Sequence, residues 1–229
     1  MQIKMGSYLN ESETNGPGIR SVLWVQGCPK RCPGCWNPTF LHDHGGRWVS
    51  VEEAVHLLTS SSKIEGVTFL GGEPFAQAEA LCELAHFLKQ RGLSILSYSG
   101  FTLEELKNQG RAQRELLDYC DLLVDGEFIQ AQAGPFLWRG SKNQEIHFLS
   151  SRYLSWKERI DGEYRDFEVL MEEGQLVLTG DPPPEMLEVM RSLAGLGSNR
   201  DRGTGLMQIS VNENMNAKIR TGRKVKSYG

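Results

Sequence analysis

Between about residues 19 and 125 the chain alternates short apolar runs, rich in β-branched residues, with amphipathic stretches of helical period. "IRSVLWVQ" (Ile19–Gln26), "GVTFLGGEP", "LSILSYSG" and "CDLLVDG" read as strands. Between them, "SVEEAVHLLTSS" sets Val51, Ala54, Val55, Leu57 and Leu58 at helical spacing, with Ser50 and Glu53 forming a capping-box signature. "AEALCELAHFLKQRG" is an amphipathic helix closed by Gly92, "TLEELKNQG" a short helix from Thr102 to Gly110, and "RAQRELLDY" a further helix. Alternation at this spacing predicts βαβ units, hence an α/β fold with a parallel sheet and right-handed crossovers. Reactive groups in such sheets collect beyond the carboxyl ends of the strands. The cysteine-bearing loop after Gln26, the "GGEP" turn and the "SYSG" turn therefore belong on one rim.

The pattern changes near residue 150, dividing the chain into a core (1–150) and a C-terminal α+β extension (151–229) whose role its residues do not disclose. There, "DFEVLMEEGQLVLTGD" predicts a hairpin about Glu173-Gly174, Pro182–Pro184 a stiff connector, and "PEMLEVMRSLAGLG" a short helix. "SNRDRGTG" reads as a loop and "LMQISVNENM" as a last strand. No apolar run approaches the roughly 18 residues of a membrane span, and "MQIKMGSYLNESE" lacks the apolar region of a secretory signal. A net charge of −4 argues against direct nucleic-acid binding. The basic run "AKIRTGRKVKSYG" at the C-terminus is read as a solvated tail rather than a contact patch.

In "QGCPKRCPGCWNP", Cys28, Cys32 and Cys35 stand in C-x3-C-x2-C spacing, stiffened by Pro29 and Pro33 and given close approach by Gly34. Disulfides between such neighbours would close small strained rings, so a reducing cytoplasm and metal-bound thiolates fit better. Structural zinc needs four closed ligands, and a fully protein-ligated iron–sulfur cube also uses four. Three suit a cube with one iron left for a small ligand carrying an amine and a carboxylate, such as the methionine end of S-adenosylmethionine. The alternative is a Cys3His zinc site completed by His42 or His44. Cys82, on the apolar helix face with Leu81, Ala85 and Leu88, and Cys120 are read as core thiols.

Gly71, Gly72, Glu73 and Pro74 end a strand, combining close backbone approach, an anion and a fixed exit. Glu73 beside a cluster suits a ligand ammonium, although "GGEP" alone is an ordinary turn. "NGPG" (Asn15–Gly18), followed by Arg20, is either a plain turn or part of the site. The hydroxyls of "SYSG" (Ser97–Gly100) either meet a ribose or carboxylate or cap the next helix. In "WRGSKNQ", Arg139, Lys142, Asn143 and Gln144 either bind a nucleotide or partner or lie on the surface.

Together these motifs resemble the radical S-adenosylmethionine superfamily, whose hallmark is C-x3-C-x2-C. Within it the chain is similar to the small glycyl-radical-enzyme activases, above all the activases of anaerobic ribonucleotide reductase. The similar segments run in order over roughly residues 1–150: "NGPGIRSVLWVQGCPKRCPGCWNP", "VTFLGGEP", "SYSGFTLEEL", "DLLVDGEFI" and "FLWRGSKNQEIHFL". The resemblance implies a partial, open (β/α) barrel carrying a 4Fe-4S cluster on Cys28, Cys32 and Cys35, with the open iron chelating S-adenosylmethionine. It implies that Gly71, Gly72 and Glu73 contact the amino group, with Pro74 and Asn37 in the same cofactor-binding set and Ser97 and Ser99 near the cofactor. It implies hydrogen abstraction from a glycine of a large partner, the anaerobic ribonucleotide reductase, with a flavodoxin-like reductant, in the cytoplasm. Gly34 departs from the aromatic residue frequent before the third cysteine, and "VKSYG" lacks the surroundings of a glycyl-radical site. Other readings are a radical enzyme acting on a deazaguanine precursor or a peptide, and a non-catalytic zinc or iron–sulfur protein.

Overall fold

The computed structural model describes residues 1–162, 164–172, 175–193 and 206–210. The proposed turn residues Glu173-Gly174, the loop "SNRDRGTG", the end of "LMQISVNENM" and the basic tail lie outside the described residues. Strands β1 (Gln2–Ser12) and β2 (Arg20–Val25) pair antiparallel, and β3 (Arg47–Ser50) adds antiparallel to β1. The predicted alternation follows: α1 (Val51–Leu58), β4 (Gly66–Gly71), α2 (Ala78–Gln90), β5 (Ser94–Tyr98), α3 (Leu103–Asn108), α4 (Arg111–Tyr119) and β6 (Leu122–Asp125). A small hairpin of β7 (Ala133–Phe136) and β8 (Arg139–Ser141) leads to β9 (Glu145–Phe148), which pairs antiparallel with β6. The sheet order is β3-β1-β2-β4-β5-β6-β9, with β2, β4, β5 and β6 mutually parallel. β3 and β9 lie at opposite edges, so the sheet stays open, a largely parallel α/β sheet.

Both faces of this sheet are covered, which is why its central strands are apolar almost throughout. Leu23 and Val25 of β2, Phe69 of β4, Ile95 of β5 and Leu123 of β6 face the helices and pack with Leu58, Leu81, Leu88 and Leu116. Their neighbours Val22, Trp24, Leu70, Leu96 and Leu122 point to the opposite, inner face. On β1 the parity reverses: Ile3 and Met5 lie with the helices, whereas Leu9 is on the inner face. A register shift between Met5 and Ser7 opposite β2 accounts for this, since one inserted residue turns every later side chain over.

Helix caps follow the sequence closely. Ser50 accepts from the Glu53 amide at 3.1 Å, but the Glu53 carboxylate pairs with Arg47 instead of returning to the cap. The reciprocal capping box forms at Thr102 and Glu105. Gly110 is the N-cap of α4, so α3 ends earlier than expected, at Asn108.

The extension turns back over the inner face. A 3-10 segment, Ser151–Arg159, buries Tyr153 against Leu96, Leu122 and Val124. The strands β10 (Phe167–Glu172), β11 (Gln175–Gly180) and β12 (Leu206–Ser210) form an antiparallel sheet in that order, joined by α5 (Pro184–Leu193). Glu172 opposes Gln175, in agreement with the expected hairpin. Pro184 begins α5 rather than closing the connector, as proline at a first helical position costs no hydrogen bond. Val177, Leu170 and Leu206 press onto Leu9, Val22, Trp24 and Leu70. A side chain as buried as Val177 stabilises the contact by about 1.5–3 kcal/mol. Among the described residues no helix is long and apolar enough to cross a membrane.

Candidate functional site

One cavity opens at the carboxyl ends of the parallel strands. Its wall includes Cys28, Cys32, Cys35, Asn37, Gly71, Gly72, Glu73 and Ser99, drawn from the loops after β2, β4 and β5. With its solvent-open mouth included, the empty space it spans is about 1130 Å³. The fold thus gathers on one wall the motifs that lie some 70 residues apart in the chain.

The cysteine loop is shaped by its backbone. Gly27 (φ 96°), Arg31 (φ 49°) and Gly34 (φ 69°) take left-handed conformations, and the Cys35 amide donates to the Cys32 carbonyl at 3.1 Å. The Cys28 amide donates to Leu41 at 3.1 Å, tying the loop to the segment that follows. The three thiols are unpaired and partly exposed. Burial raises all three pKa values, Cys35 to about 11, and the charges of neighbouring thiolates add to this at Cys28 and Cys35. Amide donors aimed at the sulfurs oppose it: Arg31 and Lys30 at Cys28, Phe128 at Cys32, and Asn37 at Cys35, at 3.4 Å. Such donors suit a sulfur-bound cluster, whose arrival displaces the thiol protons.

The arrangement does not suit a single ion. Zinc–sulfur bonds of about 2.3 Å set tetrahedral neighbours about 3.8 Å apart. Among the described residues, the trio with donor atoms all within 4.8 Å of one another is Asp125, Glu145 and His147, not the cysteines with His42 or His44. The two histidines stack on each other instead, with centroids 4.9 Å apart. Cys82 and Cys120 are buried in the helix-side core, bonded to the carbonyls of Ala112 and Leu116.

Glu73 is 1% exposed. Its Oε1 accepts from Phe75 N and Ser99 Oγ, both at 3.0 Å, and its Oε2 accepts from Gly100 N at 2.7 Å. Burial pushes its pKa up to about 7, with these three donors and Lys30 opposing. Without a ligand, a carboxyl raised from 4.5 to about 7 favours folding most below 4.5, and that contribution is lost as pH climbs through about 7. A cationic ligand group beside it reverses that balance.

The glycines before Glu73 serve the chain itself. A Cβ on Gly72 would lie 2.2 Å from the Gly27 carbonyl oxygen, and one on Gly71, at φ 101°, would lie 2.8 Å from Trp24 Cα. The Glu73 amide donates to that same Gly27 oxygen at 2.9 Å. The turn after β4 is thus laced directly to the root of the cysteine loop. Gly72→Ala is expected to lower iron retained per chain after anaerobic reconstitution and to cost about 1–3 kcal/mol by overpacking. Gly92→Ala, with no heavy atom within 4 Å of its Cβ, should leave iron content unchanged. Equal iron in both variants would contradict the lacing.

Not every expected residue reaches the wall. Ser97 is fully buried with the parity of Ile95, on the helix side, and its hydroxyl donates to the Tyr98 carbonyl. The period of two puts Tyr98 on the wall instead. Pro74 is buried behind the wall as the start of a 3-10 turn capped by Glu73. In "WRGSKNQ", Arg139, Gly140 and Gln144 line the cavity, while Lys142 and Asn143 do not. Asn143 donates to the Glu127 carbonyl and Gln144 to that of Gly126, holding the loop after β6. Thr14 and Asn15 bring the "NGPG" turn to the wall. Lys30 was not singled out by the sequence; it joins the cysteine loop to Glu127 at 3.0 Å and lies over the Phe101 ring at 4.3 Å. Its position within the C-x3-C spacing was the only local sign.

Three free thiols with amide donors on one loop, at the rim of an open α/β sheet, define an iron–sulfur protein. The family model for a 4Fe-4S single cluster domain matches residues 14–147. The chain is 40% identical over 142 residues to the anaerobic ribonucleoside-triphosphate reductase-activating protein of Vibrio cholerae, covering 58% of this chain and 90% of that one. It is 33% identical over 144 residues to the protein of that name from Escherichia coli K12, covering 59% and 92%. With the counterpart from phage T4 the identity is 33% over 138 residues, covering 58% and 85%. The chain belongs to this family of anaerobic ribonucleoside-triphosphate reductase-activating proteins.

Proposed function

We propose that the chain is a radical S-adenosylmethionine enzyme that places a glycyl radical on an anaerobic ribonucleoside-triphosphate reductase. The observation that carries this reading is the convergence of three free thiols and the buried Glu73 carboxylate on one cavity. Cys28, Cys32 and Cys35 would hold the cluster, with S-adenosylmethionine beside it in the cavity. When bound, the cluster would supply the electron for reductive cleavage of S-adenosylmethionine, the chemistry that precedes hydrogen abstraction from the partner's glycine. Glu73, held by Phe75, Ser99 and Gly100, presents negative charge to the ligand ammonium. Gly71 and Gly72 hold the turn tight against the root of the cysteine loop, placing its backbone on the cavity wall beside the ligand, Asn37 offers its amide, and Ser99 acts through Glu73. Pro74 and Ser97 support the wall from behind. A small reductant of flavodoxin type supplies the electron.

Reconstituted protein, reduced in the presence of S-adenosylmethionine, should release 5′-deoxyadenosine and leave an electron paramagnetic resonance signal on the added reductase. An intact cluster that yields no 5′-deoxyadenosine would overturn the proposal. Glu73→Ala would leave three buried donors unpaired, so Glu73→Gln, which keeps an acceptor for Phe75 and Ser99, is the cleaner variant. It should keep its iron and bind S-adenosylmethionine about tenfold more weakly in calorimetry; unchanged affinity would remove Glu73 from the ligand.

A further inference from the structure

The cysteine loop is held from its outer side by a charged residue of its own. Lys30, between Cys28 and Cys32, has a side chain only 16% exposed. Its Nζ lies 3.0 Å from Glu127 Oε1, 3.8 Å from Glu105 Oε1 and 4.3 Å from the centroid of the Phe101 ring. Its stem covers Gly100, where a Cβ would meet Lys30 Cγ at 3.0 Å. One side chain thus touches the loop after β5, the first turn of α3 and the loop after β6.

A lysine ion pair at a protein surface contributes little by itself and needs no function. This pair differs in what lies beside its partners. Glu127 precedes Phe128, whose amide faces the Cys32 sulfur. Gly100, under the lysine stem, gives its amide to Glu73 Oε2 at 2.7 Å. From the other side the Glu127 carbonyl accepts from Asn143 Nδ2 at 2.8 Å, so Lys30 and Asn143 grip the loop after β6 between them. The Trp36 and Phe128 rings, with centroids 6.2 Å apart, share this seam, so losing the ammonium loosens the loops without parting them. An amide donor at a ligating sulfur favours the electron-rich, reduced state of a cluster and raises its potential. The Glu127 carboxylate is half exposed, so water and salt screen its own charge.

We propose that Lys30 is a positioning residue: by clasping Glu127 and covering Gly100 it holds the Phe128 amide on the Cys32 sulfur, and so helps to set the reduction potential of the cluster. The role rests on Cys32 being a cluster ligand, as read above.

The test is an anaerobic redox titration of the cluster-loaded full chain without S-adenosylmethionine, the reduced share being read by electron paramagnetic resonance. Lys30→Met keeps the stem and removes the ammonium. Poised at the wild-type midpoint, its ratio of reduced to oxidised cluster should fall about tenfold, roughly 59 mV for one electron. Glu127→Ala should lower the ratio too, by about threefold or more, and the double variant should fall no further than Lys30→Met, since both cut one contact. Lys30→Arg, which keeps the charge and the reach, should stay within about threefold of wild type. Charge acting alone gives opposite signs, because losing the lysine lowers the ratio and losing the glutamate raises it. A raised or unchanged ratio in Glu127→Ala, or an unchanged one in Lys30→Met, therefore overturns the proposal. Should Lys30→Met fail to load its cluster, Glu127→Ala decides the matter by the same sign. A wild-type chain that holds no reducible cluster overturns the ligand assignment itself.

Discussion

Cys32→Ala is expected to lose its iron and all 5′-deoxyadenosine formation together. Cys32 is the middle donor of the loop: its carbonyl receives the Cys35 amide, and its sulfur is faced by the Phe128 amide from the loop after β6. Removing it leaves two thiols, and two thiolates do not retain a cube that three must hold. Iron per chain should fall to background, with the visible iron–sulfur absorbance lost. The fold should survive, because Cys32 is partly exposed and packs in none of the hydrophobic clusters. Cys82→Ala is the matching control. It removes a buried thiol from the helix-side core, at a cost of about 1 kcal/mol, and should keep both iron and activity. Full iron in Cys32→Ala, or lost iron in Cys82→Ala, would show the ligands to be assigned wrongly.

Arg20→Ala is expected to be the most destabilising single change away from the cluster. Arg20 is fully buried at the amino end of β2. Its guanidinium donates to Val67 O at 2.7 Å, Thr68 Oγ1 at 2.8 Å and Ser94 Oγ at 2.9 Å, with longer bonds to Pro17 O, Ser94 O and Tyr153 OH. One side chain therefore joins β2, β4 and β5 to the first turn of the extension. Burial lowers its pKa, while Tyr153 and Asp121 oppose the shift, so the charge is kept by its neighbours. Truncation leaves these acceptors unmet and opens a cavity, and about 3–5 kcal/mol is the expected loss. For a chain of this length that lowers the melting temperature by roughly 6–20 °C. Arg20→Lys should recover only part, because one ammonium cannot span the fork. A melting temperature within about 2 °C of wild type for Arg20→Ala would contradict this account.

Much of this architecture is legible in the residues, for an identifiable reason. β2, β4, β5 and β6 are buried on both faces, so each is a largely apolar run with few polar residues. β1 escaped because the shift between Met5 and Ser7 breaks its alternation midway. β3 and β9 are four-residue edge strands whose existence depends on partners found only after folding. The cysteines and Glu73 were readable because their chemistry is local to one loop and one turn. Ser97 lies buried behind the wall, a placement that "SYSG" does not disclose because it leaves open which parity faces the cavity. Arg139 was marked only as one of several polar residues in "WRGSKNQ", and Asp181 carries no local mark: they reach the wall through a hairpin and a returning sheet, both non-local. The expected domain division likewise follows composition, whereas Tyr153, Val177 and Thr179 bond or pack across it.

The sheet that roofs Trp24 and Leu70 makes the two halves of this polypeptide a single engineering unit. Cutting the chain to the size of its bacterial and phage relatives would lay bare a greasy saddle at Leu9, Val22 and Trp24 and strip one flank from the reaction chamber. Grafts that trade catalytic halves within the family would therefore have to carry the tail along, or resurface the saddle with polar residues first.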